Sequence, residues 1–285
     1  MLTSLENETI FKKAFTDKTV FTRFVKDILD IDFTVDKIET EKKFEPKTGD
    51  ISISYDIFAE SLDHRVVVEI QRVDYDYNFD RFLHYHMMAI AELQRSAREY
   101  RIEKTVYTIV VMTAPYKIMQ KTGEPVIDEV MISSVDPRNL NDKVVNLYGH
   151  RLVFLNPHYV TEDTPQKYRD WLELVYQSSH NPGNFKVNLD NEGIRKVVEL
   201  IDYDRLDPEV IDKMKIDNQR RAMLKIVETE GYEKGKQEGI EEGIEKGIEK
   251  GKIEMVVKMK ANGINADIIS RMSGLSVEEI EKLGS

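Results

Sequence analysis

The chain has 285 residues, no cysteine and a formal net charge of −11 at pH 7. The absence of cysteine excludes disulfides, thiolate metal sites and cysteine nucleophiles, and the negative charge excludes DNA binding over a broad basic surface. No apolar run approaches the ~18 residues of a membrane span, and the acidic, amphipathic start does not follow a secretory signal pattern. We therefore expect a cytoplasmic protein with no membrane association, in which any DNA site is local.

Helical and alternating patterns follow one another along the first three quarters of the chain. The predicted elements are a helix over 7–30, strands over 35–44, 50–60 and 64–71, a helix over about 77–100, strands over 105–113 and 151–155, and helical segments over 163–229. The order α-β-β-β-α-β with helices afterwards predicts an α/β domain with a mixed central sheet.

A short turn at Leu62 and Asp63 joins two of these strands and predicts an antiparallel hairpin. Its register follows from the apolar side chains, because a slip of one residue would move carboxylates into the apolar face. In this register one face of the hairpin is wholly apolar. Its members are the facing pairs Tyr55 with Ile70, Ile57 with Val68 and Ala59 with Val66, continued by Ile51 and Ile53.

The other face of the hairpin carries acids. Asp56 lies directly opposite Glu69, and Gln71 lies one pleat further along the strand. Opposed residues have Cβ atoms roughly 4.5–5.5 Å apart, so the two carboxylates repel each other. Mg²⁺ removes that repulsion, since it prefers hard oxygen ligands. A solvent-facing polar strip is the alternative, but Phe58 and Val67 share this face and argue against full exposure.

The order of these motifs resembles the PD-(D/E)XK nuclease-family transposases, also called recombination-promoting nucleases or Rpn proteins. The motifs are "ETIFKKAF", "YDIFAE", "VVVEIQ" and "RFLHYH", followed in the tail by "GIEKGIEKGK" and "GLSVEEIEKL". The resemblance covers about residues 5–220 and extends to the tail. It implies a restriction-endonuclease-like α-β-β-β-α-β core and a Mg²⁺- or Mn²⁺-dependent DNA endonuclease connected with recombination or transposition.

The resemblance also implies roles for individual residues. Asp56 and Glu69 match the acids that bind the metal, the main-chain carbonyl of Ile70 is a further ligand, and Glu8 matches an additional catalytic acid. Gln71 is the fourth catalytic position and stands where the wider superfamily usually has lysine. Glutamine offers hydrogen bonds in place of a positive charge, which shifts the activation of water onto the metal.

Contacts to DNA are expected from Lys12, Arg81 and Tyr85. Arg81 and Tyr85 are four residues apart and share a helix face, so they either contact phosphate or form a bond within the protein. His84 and His86 do not share a face, which favours packing or surface roles over metal binding. The chain has no glycine-rich nucleotide motif, so no nucleotide cofactor is expected.

The tail has a different composition from the rest of the chain. Glycine recurs every four residues from 231 to 251, and each glycine costs a helix roughly 1 kcal/mol relative to alanine. We expect a nuclease-like domain over 1–228, a connector over 229–252 that becomes helical only when packed, and a small helical module over 253–285. Helix packing through the glycines would form a homo-oligomer, whereas a solvated spacer would not.

The last helices of the tail could be read as a DNA-binding helix-turn-helix. Glu278, Glu279 and Glu281 would repel phosphate there, which favours a protein-interaction module. Two functions of the whole chain therefore remain open. The opposed Asp56 and Glu69 favour a DNA endonuclease, whereas the net charge and Gln71 favour a catalytically inactive nuclease fold that acts as an oligomerising interaction module.

Overall fold

The structure is a computed structural model that describes residues 1–35, 37–44, 53–72, 78–94, 101–115, 119–120 and 122–283. The chain forms two compact units, Met1–Asn218 and Gln219–Ser285. No helix in the described ranges has both the length and the apolar composition needed to cross a membrane.

Six strands form one mixed sheet in the order β1-β2-β3-β4-β6-β5. The strands are β1 (Ile38–Phe44), β2 (Ile53–Glu60), β3 (His64–Gln71), β4 (Thr105–Met112), β5 (Val130–Ser134) and β6 (Arg151–Leu155). The pairs β1–β2, β2–β3 and β5–β6 are antiparallel, whereas β3–β4 and β4–β6 are parallel. Buried on both faces, β4 is the nearly continuous apolar run that its sequence predicts.

Helices cover both faces of this sheet. The helices are α1 (Glu8–Phe15), α2 (Lys18–Leu29), α3 (Asn78–Ala91), α4 (Gln166–His180), α5 (Glu192–Leu200), α6 (Pro208–Ala261), α7 (Ala266–Ser273) and α8 (Val277–Lys282). Helices α1, α2, α4 and α5 pack on one face, and α3 packs on the other. The predicted α/β class and the mixed sheet are confirmed.

The predicted helix over 7–30 is two helices. Thr16 ends α1 by donating its hydroxyl hydrogen bond to the carbonyl of Lys12 at 2.7 Å. Asp17 then caps α2, because its Oδ1 accepts hydrogen bonds from the backbone N–H groups of Thr19 and Val20 at 3.0 and 3.1 Å. An aspartate at this position satisfies free N–H groups at a helix start. Strand β5 was not predicted, and α3 ends at Ala91; residues 95–100 of the predicted helix lie outside the described residues.

The β2–β3 hairpin has the predicted register, with Ile57 paired to Val68 and Ala59 to Val66. The predicted apolar face is wrong at Tyr55. Its ring packs with the α3 side of the sheet, and its hydroxyl donates a hydrogen bond to the α3 carbonyl of Tyr85 at 2.9 Å. Ile53 packs on the α3 side as well, and Ile51 lies outside the described residues.

The change of face occurs beside Asp56. The residue opposite Asp56 in β1 is Glu41, which has φ of 53°, a conformation that is uncommon outside glycine. Regular pairs flank this position, Thr40 with Ile57 on one side and Lys42 with Tyr55 on the other. This left-handed residue thus lies opposite the point in β2 where the side chains change face, between Tyr55 and Ile57.

A buried carboxylate fixes the helices on the α1 side of the sheet to one another. Asp27 of α2 accepts hydrogen bonds at Oδ2 from Trp171 Nε1 of α4 and from Asn191 Nδ2 at the start of α5, both at 2.9 Å. Arg23 Nε also donates to this oxygen at 3.0 Å. A satisfied polar group of this kind restricts how the helices can pack.

The glycine repeat lies within α6, so the segment 229–252 is not a separate element. A side chain added at any of the six repeat glycines would meet nothing within 4 Å in the described chain. Helix formation therefore does not depend on packing through the glycines within the single chain. The boundaries expected at 228 and 252 stay predictions.

The C-terminal helices have the expected ends. Gly263 and Gly274 have positive φ of 77° and 73° where helices stop, as expected for residues that end helices in the left-handed region. Ser276 and Glu279 form the predicted capping box at the start of α8. A small cluster of Val256, Ile269 and Ile280 holds this module together.

Deletion of residues 231–285 should leave a core that melts cooperatively at nearly the same temperature as the full chain. The deleted stretch of α6 is almost wholly exposed, whereas the start of α6 packs against the main core through Val210, Ile211 and Met214. A chain ending at 206 is the matched control, and we expect it to melt clearly lower. Thermal unfolding followed by circular dichroism tests this. Loss of the cooperative transition in the longer truncation would contradict the prediction.

Candidate active site

The described backbone hydrogen-bond ladder between β2 and β3 stops at the pair Ile57–Val68. Beyond this pair, carboxylate side chains form the hydrogen bonds between the two strands. Glu69 Oε1 accepts a hydrogen bond from the backbone N–H of Asp56 at 3.0 Å. Asp56 Oδ2 in turn accepts from the backbone N–H of Ile70 at 3.0 Å. Each acid therefore binds the opposite strand with its side chain, which places the two carboxylates side by side where the hairpin opens.

Both acids lie in surroundings that disfavour their charge. Glu69 is 2% exposed, and burial together with the charge of Asp56 raises its pKa well above the ordinary value of 4.5. Burial also raises the pKa of Asp56, and Glu8 adds to that effect, while the Ile70 N–H and Lys12 oppose it. Two neighbouring carboxylates with raised pKa values are a sign of a site that binds a cation or a proton.

Glu8 and Lys12 of α1 reach this site together. Lys12 Nζ lies 2.5 Å from Glu8 Oε1 and 3.5 Å from Asp56 Oδ1. It also donates a hydrogen bond to Glu41 Oε1 at 3.3 Å. Of the three predicted acids, Asp56 and Glu69 are therefore in direct contact with each other's strands, and Glu8 joins them through Lys12.

Sequence reasoning missed two residues that hold Glu8. Arg72, directly after Gln71, binds Glu8 Oε2 at 2.6 Å and Asp217 Oδ1 at 2.9 Å. Asp217 of α6 also accepts a hydrogen bond at Oδ2 from the backbone N–H of Glu8 at 2.8 Å. Arg72 could have been found from its place at the end of the acidic strand. Asp217 carries no local signal, because it lies 145 residues further along the chain.

Gln71 and Arg81 form a second polar pair on the α3 side. Gln71 is 4% exposed, and its Oε1 accepts a hydrogen bond from Arg81 Nη1 at 3.1 Å. The Arg81 guanidinium also lies over the rings of Phe82 and Tyr85, each 5.1 Å from the ring centroid. Arg81 thus makes the bond within the protein that was one of its two expected roles, and contact of Arg81 and Tyr85 with DNA stays a prediction.

The two histidines of α3 have different surroundings, as their spacing indicates. His84 is exposed, whereas His86 is buried and its Nδ1 forms a hydrogen bond with Thr108 Oγ1 at 2.9 Å. Burial lowers the pKa of His86 to about 4, so this ring is neutral at physiological pH.

The acid pair fits a divalent cation in the chemistry of its donors. Among the described residues, no three His, Cys, Asp or Glu side chains gather into a group that could hold a metal ion. Mg²⁺ does not require such a cage, because it is commonly bound by one or two carboxylates together with waters and substrate phosphate. Asp56 and Glu69 match that requirement. The carbonyl of Ile70 stays a predicted ligand.

A family model described as PD-(D/E)XK nuclease family transposase matches residues 7–225. The chain belongs to this family. No curated protein matches the chain, and no solved structure matches it. The match contains the hairpin with Asp56 and Glu69, as well as Glu8 and Asp217.

Membership in the PD-(D/E)XK nuclease family transposases confirms the family resemblance found in the sequence. It identifies a nuclease-family protein associated with transposition, for which DNA is the implied substrate. Nucleases of this family generally use divalent metal ions. The acids described above are therefore the candidate active site of a nuclease.

Replacement of Glu69 by glutamine should raise the melting temperature in metal-free buffer. The pKa of Glu69 is raised in the folded state, so the ionised carboxylate destabilises the protein at pH values above that pKa. As pH falls toward the ordinary value of 4.5, the wild-type side chain takes up a proton and the difference disappears. We expect the gain to grow as pH rises from about 4.5 toward 8, since the wild-type side chain ionises in the unfolded state at lower pH than in the folded state.

The measurement is thermal or urea unfolding in EDTA between pH 4.5 and pH 8. The exposed Glu162→Gln serves as the control and should show no pH-dependent gain. A Glu69→Gln protein that is less stable than the wild type at pH 8 would show that the carboxylate is favourable in its charged form.

Proposed function

We propose that this protein is a DNA endonuclease that requires Mg²⁺ or Mn²⁺ and hydrolyses phosphodiester bonds during recombination or transposition. The observation that carries the proposal is the carboxylate pair of the buried Glu69 and the partly buried Asp56, which replace the β2–β3 ladder with bonds to each other's strands. A buried acid whose pKa is raised by burial and by a second acid beside it is unfavourable in its charged form, so stability alone does not account for the pair. The cytoplasmic location expected from the sequence stays a prediction.

In this proposal Asp56 and Glu69 hold the cation, and the hydrogen bonds from Asp56 N–H and Ile70 N–H fix the orientation of their carboxylates. A divalent ion held there polarises a phosphate oxygen and lowers the pKa of a bound water. Gln71 is buried beside the acids and is fixed by Arg81. Its amide can orient a water molecule by hydrogen bonding, but it cannot supply charge.

The full chain should nick supercoiled plasmid DNA in the presence of Mg²⁺ or Mn²⁺ and lose this activity in EDTA. Asp56→Asn and Glu69→Gln should each reduce the rate by at least about 100-fold, because they remove a charged ligand of the cation. Both variants should also lose the rise in melting temperature that Mg²⁺ or Mn²⁺ gives the wild type. Gln71→Ala should keep that rise and lose mainly rate.

Asp63→Asn provides the matched control, since Asp63 lies exposed at the turn of the same hairpin. It should cleave and bind metal like the wild type. If Asp56→Asn cleaves as fast as Asp63→Asn, the assignment of the site is wrong.

A second candidate function is an oligomerising interaction module without catalytic activity. It is favoured by a row of isoleucines on α6, Ile240, Ile244 and Ile248, which are 48%, 58% and 61% exposed. Each of them follows a repeat glycine, so a ridge of large side chains lies beside a groove on the same helix. Such rows, four residues apart, pack into each other when two helices cross. A second copy of α6 therefore fits this surface, and nuclease activity and oligomer formation are compatible.

Size-exclusion chromatography with light scattering should give the full chain the molar mass of an oligomer. The variant Ile244→Glu should shift that mass toward the monomer. A buried glutamate in a helix contact is unfavourable, because its charge is desolvated without a partner. Lys246→Glu introduces the same residue on nearly the opposite side of the helix and should leave the mass unchanged. A monomeric wild type would remove the support for the second function.

A further inference from the structure

The ammonium group of Lys12 is surrounded by three carboxylates at the candidate active site. Its Nζ is 2.5 Å from Glu8, 3.3 Å from Glu41 and 3.5 Å from Asp56, and its side chain is only 13% exposed. Three carboxylates around one ammonium group favour its positively charged form.

A chain of ion pairs fixes the position of Lys12. Glu8 is one helical turn before Lys12 and is held by Arg72, which is held in turn by Asp217. Arg72 forms its ion pairs with Glu8 and Asp217, whereas Lys12 Nζ lies 3.5 Å from Asp56 itself. The chain of ion pairs holds the Lys12 ammonium at the acid pair instead of leaving it on the surface.

The site needs a positive charge that its own strand does not provide. Phosphodiester hydrolysis builds negative charge on the phosphate oxygens, and preorganised cations stabilise that charge. Gln71, where the wider superfamily usually has lysine, is neutral. On the α3 side, the described Arg81 lies beside Gln71, but its Nη1 is bonded to Gln71 and its guanidinium lies over two rings.

We propose that Lys12 is the catalytic cation of this site and contacts the scissile phosphate, supplying from α1 the charge that Gln71 cannot supply from β3. The inference rests on the nuclease function proposed above. A phosphate bound to a cation held by Asp56 and Glu69 would lie within reach of the ammonium, because Lys12 Nζ is already 3.5 Å from Asp56 Oδ1. Lysine suits this task, since its compact charge sits on a flexible stem.

The test removes the positive charge from α1 and places one on β3. Lys12→Gln should reduce plasmid nicking by about 100- to 1,000-fold, the range found when one group that stabilises transition-state charge is removed. Addition of Gln71→Lys to this variant should recover at least about tenfold, which corresponds to about 1.4 kcal/mol of barrier. Lys12→Arg should retain more activity than Lys12→Gln because it keeps the charge.

Two controls separate catalysis from structure. Lys13→Gln removes the same charge from the adjacent position, about 100° around the helix, and should leave nicking unchanged. The rise in melting temperature with Mn²⁺ should persist in Lys12→Gln, because Asp56 and Glu69 are intact. If Lys12 only supported the fold, adding Gln71→Lys to Lys12→Gln would not restore nicking activity.

The outcomes are distinct for the two levels of the proposal. If the wild type does not nick DNA with any divalent metal, the nuclease function fails, and the role of Lys12 fails with it. If the wild type nicks and Asp56→Asn does not, but Lys12→Gln is as active as Lys13→Gln, only the role of Lys12 is overturned. A folded double variant no faster than Lys12→Gln overturns it as well. Loss of cooperative melting in both Lys12→Gln and Lys12→Met would make Lys12 a structural residue and also reject the proposal.

Discussion

Two carboxylates replace the backbone ladder where β2 and β3 separate, and the other features of the site depend on this exchange. The strand ends would otherwise leave N–H groups without acceptors, since a buried backbone donor needs a partner. Glu69 and Asp56 satisfy those donors across the gap. The same hydrogen bonds hold two negative charges together in a buried place, so stability of the hairpin end and repulsion between the acids arise from one arrangement.

That repulsion explains the distribution of charge around the acids. Lys12 approaches Asp56 from α1, Arg72 neutralises Glu8, and Asp217 balances Arg72. Charges of opposite sign alternate along this path from α6 to the hairpin. The site itself stays negative, because the cations Lys12, Arg72 and Arg81 are outnumbered by five carboxylates, those of Asp56, Glu69, Glu8, Glu41 and Asp217. A divalent cation would offset part of that excess before DNA approaches.

The sequence predicted those parts of the fold that depend on neighbours close in the chain. Turn length and alternation were sufficient for the β2–β3 register as far as the pair Ile57–Val68. Beyond that pair Asp56 and Glu69 meet through side-chain bonds to each other's backbone, which alternation does not predict. The face of Tyr55 was not predictable, because alternation assumes an unbroken pleat and β2 changes face between Tyr55 and Ile57. The break between α1 and α2 did have a signal, an aspartate directly before a new helical pattern.

The ion pairs that hold Glu8 at the site could not be predicted from the sequence, for a different reason. Arg72 and Asp217 meet only because α6 packs beside α1, and an ion pair between distant residues leaves no periodic pattern. Asn7 shows the same dependence. Its side chain accepts the hydrogen bond that caps α1 and donates to the carbonyl of Met214 and to Asn218 Oδ1.

These contacts give the first turns of α6 a meaning that composition does not suggest. The helix is uniform in type from Pro208 to Ala261, yet its residues up to Asn218 belong to the same compact unit as the hairpin. The shortest chain that can assemble the whole charge network therefore ends beyond Asn218, well inside a continuous helix. A minimal nuclease designed from this protein has to be cut within α6 and not at the loop that precedes it.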